Sequence, residues 1–252
     1  MNKLAIELNE TLKGSVVEAL MSDMGKRLYF PNGIISQGAE AAKDAHLANG
    51  TIGMAVQGGT PIELDSYKKS MPTFNPRETV AYAKTAGNPD LRALWKEKII
   101  EKNPSLAGKK ISLPILVPGL TAVLSYVADL FLDENKPLLA ADPCWDNYEL
   151  ICSARRNAEF HQFKCFDGNA FNLKALEEAM KADAAKYGSV RVLLNFPQNP
   201  SGYSPTKAEA KEICRIVKEI AESGAKVLVL SDDAYFGLNY EDDIEPQSLF
   251  AY

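Results

Sequence analysis

A doubly wound α/β fold built on a mostly parallel sheet is what this sequence predicts, and three observations predict it. Strand-length apolar runs alternate with amphipathic helical runs through the second half of the chain. One strand–helix–strand unit can be read without interruption from Val190 to Tyr235. The 252 residues, 46 % hydrophobic and 24 % charged, suffice for a large buried core.

The elements follow in order. Residues 2–27 read as helical, with Leu4, Leu8, Leu12, Val16, Leu20 and Met24 forming one apolar stripe suited to docking on a partner surface. A short alanine-rich helix is expected from Gly38 to Leu47, and a strand from Thr51 to Val56. Gln57-Gly-Gly-Thr-Pro61 then reads as a turn, or as exposed N–H groups that could meet an anion. Ser66 to Pro76 is polar and loop-like. Pro89 suits a helix start, and Leu91, Leu94, Trp95, Ile99 and Ile100 supply the inward face of a helix to Asn103. Ile111 to Val117 is strand-like. Pro118-Gly119-Leu-Thr121 opens a helix that is apolar almost all round and so is expected to be buried. Pro137 to Ala141 and Ala158 to Phe163 are further strands, and Leu173 to Tyr187 is an amphipathic helix.

In the strand–helix–strand unit, Val190 to Leu194 is a β-branched-rich strand that ends in the turn chemistry of Asn195-Phe-Pro-Gln-Asn-Pro-Ser-Gly202. Ala210, Ile213, Ile216, Val217 and Ile220 recur at helical spacing between Thr206 and Gly224. A second strand, Lys226 to Leu230, then leads into Ser231-Asp-Asp-Ala-Tyr235. Polar ligands of parallel sheets sit at the carboxyl ends of strands. Asn199, Asp232 and Tyr235 fall there.

Composition narrows the function classes. A net charge of -5 gives no support to nucleic-acid or polybasic membrane binding, and no apolar run approaches the ~20 residues of a membrane span. The four cysteines form no C-x-x-C pair, and Glu7, Glu10, Lys13 and Glu18 interrupt any secretory core, which reads as a reduced, cytoplasmic protein. His46 and His161, the two histidines, lack ligand-like spacing, so no metal site is expected. Their scarcity also argues against a Ser-His-Asp or Cys-His hydrolase.

Four places carry candidate chemistry. Gly119 to Thr121 turns into a helix and offers free N–H groups and a positive dipole end to a phosphate, although Pro-Gly turns before helices are common. Trp145, beside Asn147 and Tyr148, could stack on a flat ring or fill the core. Asp232 and Asp233 begin at the mouth of the sheet, where a carboxylate would hold a protonated heterocycle nitrogen. Asn199 lies in the turn after the preceding strand, at the same kind of strand end.

Asn199-Pro-Ser-Gly202, followed 33 residues later by Asp232-x-Ala-Tyr235, resembles the paired signature of class I/II aminotransferases, the fold type I enzymes that use pyridoxal 5'-phosphate. Gly119-Leu-Thr-Ala, Pro143-x-Trp145-x-Asn147-Tyr148 and Tyr82-x4-Gly87-x-Pro89 fall in that family's order, so the resemblance spans roughly residues 50–240. It implies the three-layer large domain of that fold, incomplete on its C-terminal side, with residues 1–60 as a helical arm and small-domain portion and 61–252 as the cofactor-binding domain. By the same resemblance, Asn199 and Tyr235 would hydrogen-bond the phenolic oxygen of the cofactor, Asp232 would pair with its ring nitrogen and Trp145 would cover its ring face. Gly119, Leu120 and Thr121 would cradle its phosphate, with only backbone contacts carried over for Leu120. Tyr82 would reach the phosphate of a neighbouring subunit, which implies a homodimer. Gly58 or Gly59 would meet the carboxylate of an amino acid or 2-oxo acid substrate.

One departure is large. The family's Schiff-base lysine should follow Asp-x-Ala-Tyr by some tens of residues, and no lysine follows Tyr235. Lys226 and Lys136 stand near the amino ends of strands, and Lys207 begins a helix. The catalytic lysine is therefore expected beyond Tyr252, with this chain an inactive N-terminal portion of an aminotransferase. A carbon–sulfur lyase or decarboxylase of the same fold is the nearest alternative. A ligand-binding or interaction module that kept the pocket without the chemistry is the alternative from another class.

Overall fold

A computed structural model describes residues 1–29, 33–51, 53–71, 74–75, 80 and 82–252. Parts of the expected strand at 51–56, of the polar segment before Pro76 and of the stretch leading to Tyr82 lie outside the described residues. Backbone contacts group Met1–Tyr29 with Pro89–Tyr252 and set Phe30–Asn88 apart, so this grouping is bordered on either side of the residue-60 border read from the sequence.

In the larger unit, β3 (Leu138–Asp142), β4 (Phe160–Lys164), β7 (Ser189–Asn195) and β8 (Lys226–Asp232) form one sheet in the order β4-β3-β7-β8, with every pairing parallel. Between β4 and β7 the chain makes the small antiparallel pair β5 (Phe166–Asp167) and β6 (Ala170–Phe171). Side-chain alternation splits the sheet into two faces. Leu139, Val190, Val192 and Leu194 pack under Leu176 and Met180 of one helix and Ile213, Ile216 and Ile220 of another. Leu138, Ala140 and Leu193 face the opposite way, onto Ala128, Leu132, Tyr148 and Cys152. Helices on both faces of a parallel sheet make three layers, as the alternation of elements predicts.

The first face is covered by α9 (Leu173–Tyr187) and α10 (Lys207–Glu222). Asn172 caps α9 through its side chain, and Gly188, at φ 65°, ends it. Thr206 and Glu209 close a capping box on α10. On the second face lie α7 (Leu120–Phe131) and α8 (Asn147–Glu149), which runs on as a π-helical turn over Leu150–Arg155.

Several expectations need correction. Residues 2–27 form three short helices, α1 (Lys3–Leu12), α2 (Val16–Leu20) and α3 (Asp23–Arg27). Gly14 at φ 73° follows α1, and Ser15 and Ser22 cap the next two, so the apolar spacing is cut twice and Leu8, Val16 and Leu20 stand exposed. Ile111 to Val117 is not a strand. The carbonyls of Ile111 and Pro114 accept from Lys96 Nζ at 2.7 Å and Arg92 Nε at 2.5 Å, and Pro114 has no N–H to give a ladder. Both cations sit on α6 (Pro89–Lys102), whose Leu91, Leu94 and Trp95 face solvent instead of the core. Helix α7 buries only Ala128 fully and leaves Tyr126, Leu130 and Phe131 exposed, because one side alone meets the sheet.

The smaller unit holds α4 (Ile34–Asp44), which starts four residues earlier than read (Gly38 minus Ile34), and α5 (Asp65–Ser70), a helix where a loop was expected. Among the described residues of the strand expected at 51–56, Val56 alone is in a strand, β1 (Val56–Gln57), paired antiparallel with β2 (Thr60–Pro61). Gly58 and Gly59, at φ 57° and 78°, make the two-residue turn between them, which suits glycine at both positions.

Candidate functional site

The site grows from the carboxyl ends of β7 and β8. Their register places Asn195 opposite Asp232, so both strands deliver a polar side chain at one level. Asn195 Nδ2 donates to the Asp232 carbonyl at 2.8 Å, and Asn195 Oδ1 accepts the N–H of Asn199 at 2.8 Å. One buried amide thus fixes the end of β8 and the start of the Asn199-Pro-Ser-Gly202 turn.

Gln198 ties in a third segment. Its Nε2 donates to the Pro143 carbonyl at 2.6 Å, while its Oε1 accepts the N–H of Ser201 at 2.9 Å and the Ser201 hydroxyl. Gln198 is buried, so removing its amide leaves the Pro143 carbonyl and the Ser201 N–H without these partners. Gln198→Ala is expected to lower unfolding stability by about 2 kcal/mol, read from the urea midpoint. An unchanged midpoint would mean that the turn and the Pro143 segment are not tied through this amide.

Asp232 is the electrostatic centre. It is 5 % exposed; its Oδ2 accepts the Tyr148 hydroxyl at 2.5 Å and its Oδ1 the N–H of Ala234 at 3.1 Å. Both donors are neutral. Among the described residues no ion pair includes Asp232. A buried carboxylate held by neutral donors has a negative charge to offer a cationic ligand. That is the chemistry a protonated heterocycle nitrogen fits.

Tyr148 is buried, and Trp145 meets its ring edge-on, with centroids 5.5 Å apart at 87°. Burial first, and then the Asp232 carboxylate, push the Tyr148 hydroxyl well above its ordinary value, so it remains a donor. Trp145 itself is half-buried, beyond the end of β3. Asn199 is half-buried and Tyr235 is exposed in the turn after β8. Among the described residues, neither the Asn199 side-chain amide nor the Tyr235 hydroxyl has a protein partner.

Gly119 precedes α7 at φ 90° and ψ 160°, a conformation that suits glycine, and it gives the helix no side-chain cap. Leu124, about one turn in from Leu120, packs in the cluster that holds Tyr148. The N-terminus at Leu120 and Thr121 therefore belongs to the same sheet face as the Tyr148–Asp232 pair. Gly58, Gly59 and the fully exposed Tyr82 lie in the smaller unit.

Sequence reasoning did not assign roles to Asn195, Gln198 or Tyr148. Tyr148 was visible only as part of the Trp145 motif. His161, which lacks metal-ligand spacing in the sequence, has its Nδ1 2.7 Å from Asp183 and its Nε2 2.9 Å from Glu159, on the outer strand of the sheet.

A family model for aminotransferases of class I and II matches residues 57–250. The chain belongs to that family. The chain is similar to a solved aminotransferase from Anaerococcus prevotii, at 26 % identity and a TM-score of 0.71, over 86 % of this chain and 55 % of that one. A Thermus thermophilus aspartate aminotransferase mutant, 17 % identical with a TM-score of 0.64 over 90 % of this chain and 56 % of that one, shares the fold. Among curated proteins, the aminotransferase tdiD of Emericella nidulans is 28 % identical over 127 residues, 50 % of this chain and 28 % of that protein. The chain thus spans about half the length of the solved relatives, and a smaller share of the curated one. Its neighbours carry the fold type I architecture expected from the paired motifs. Among the described residues no helix is long and apolar enough to cross a membrane.

Proposed function

We propose that these residues form the ring-holding part of a pyridoxal 5'-phosphate aminotransferase that moves an amino group between an amino acid and a 2-oxo acid. The observation that carries this reading is the buried, cation-free carboxylate of Asp232. When bound, the cofactor supplies an electron sink for charge developing at the substrate's Cα. Asp232 would hold its ring nitrogen charged, Asn199 and Tyr235 would donate to its phenolic oxygen, and Trp145 would shield the ring face from water. The N–H groups of Leu120 and Thr121 would receive its phosphate, with Gly119, whose own N–H donates to the Val117 carbonyl at 2.8 Å, turning the chain into the helix.

Tyr82 reaching a neighbouring subunit's phosphate, Gly58 or Gly59 meeting the substrate carboxylate, a cytoplasmic homodimer, and a division into residues 1–60 and 61–252 complete the proposal. The amino-transfer step requires a lysine. Lys226 opens β8 at the end away from Asp232, Lys136 pairs with Asp133, and Lys207 Nζ donates to the Asp242 carbonyl at 2.6 Å. In this reading the step belongs to a longer protein, and the 252 residues alone bind the cofactor weakly without turnover.

Titrating pyridoxal phosphate into the purified chain tests both parts. Saturable quenching of indole fluorescence that disappears in Trp145→Phe is expected, with no 2-oxo acid formed from amino donors. Absence of binding up to about 1 mM would remove the cofactor reading. Turnover would show that a lysine within the chain carries the step.

A further inference from the structure

We propose that Tyr148 is a positioning residue that fixes the Asp232 carboxylate for a cationic ring, an inference that rests on the cofactor reading above. An aspartate's terminal torsion is soft and two-fold, so one donor leaves the carboxylate plane free to rotate. The Ala234 N–H holds Oδ1 at 3.1 Å, and the Tyr148 hydroxyl holds Oδ2 at 2.5 Å. Together they pin the plane.

The chemistry of the donor matters as much as its position. A lysine or arginine there would neutralise the charge the ring nitrogen needs. A phenol adds a hydrogen bond and no charge. Tyr148 is 3 % exposed, and its backbone N–H bonds the Trp145 carbonyl at 3.0 Å while its ring takes the edge-on contact with Trp145. One side chain therefore sets both the aspartate beneath the ring nitrogen and the indole proposed for the ring face. The other titratable groups near this pair are Cys144 after β3 and Asp233 and Tyr235 after β8.

The test compares two ligands on the full 252-residue chain: pyridoxal phosphate, and its analogue with carbon in place of the ring nitrogen. Tyr148→Phe keeps the ring and removes the hydroxyl. It is expected to weaken pyridoxal phosphate binding about tenfold and to change analogue binding by less than about twofold. In the Asp232→Asn background the same substitution is expected to have no further effect on either ligand. Equal weakening for both ligands, or an undiminished effect in the Asp232→Asn background, overturns the inference by showing a packing role. Wild-type chain that binds neither ligand removes the cofactor reading itself, whereas wild-type binding unaltered by Tyr148→Phe removes only the role of Tyr148. Should Tyr148→Phe fail to fold, 3-fluorotyrosine placed at position 148 alters the donor at nearly constant shape. It is expected to change the ratio of the two affinities, and an unchanged ratio counts against the inference.

Discussion

Asp232→Asn is expected to weaken pyridoxal phosphate binding by about ten- to hundredfold and to leave the sheet intact. Hydrogen bonds to charged groups contribute about 1.5–3 kcal/mol, and each 1.4 kcal/mol is about tenfold in affinity. The amide oxygen of asparagine can still accept from Tyr148 or Ala234, so the local geometry has a substitute. What disappears is the negative charge. Removing an unpaired buried charge also relieves desolvation, so the thermal midpoint is expected to stay within about 4 °C of wild type. Cofactor titration followed by absorbance, together with a thermal scan, reads both quantities. Unchanged affinity would place the ring nitrogen elsewhere, with Asp233 the next carboxylate to examine.

Leu176→Ala is expected to lower stability strongly and to change the site little. Leu176 is fully buried on α9, among residues of β3, β4, β7 and α10. Truncating such a leucine removes apolar contact and leaves a cavity, at a cost of about 3 kcal/mol. For a chain of this size each kcal/mol moves the midpoint by about 2–4 °C, so a drop of roughly 10 °C is expected. Cofactor affinity should be kept, since Tyr148 and Asp232 belong to the opposite face and to the strand ends. A loss under about 1 kcal/mol would show that α9 is not held by this cluster.

Much of this could be read locally. The unit from Val190 to Tyr235 was legible because its signals lie within a few residues of one another: aliphatic runs, the Thr206 cap and the 3.6-residue spacing of α10. The candidate residues Asn199, Asp232 and Tyr235 were legible for the same reason, as strand ends. What joins them was not. The long-range partners of Asn195, Gln198 and Tyr148 stand 37, 55 and 84 positions away, separations that no local pattern encodes. Ile111 to Val117 failed for a related reason: its composition suits a strand, but a strand exists only with a paired neighbour, and here Arg92 and Lys96 take two of its carbonyls. The apolar stripes of α1 to α3 marked residues able to be buried, not residues that are.

Strand β8 has a consequence for how the site tolerates change. From Val227 to Leu230 it is aliphatic on both sides, without the in–out alternation that would forbid a one-residue slip. Its alignment must therefore be enforced at its ends, by the Asn195 bond to the Asp232 carbonyl and by α10. Directly after Asp232 comes a second aspartate. Deleting one aliphatic residue from β8 would bring Asp233 to the level of Asn195, restoring an acid where the first one stood. With the doublet in place, a β8 shorter by one residue would keep a carboxylate at the mouth of the sheet.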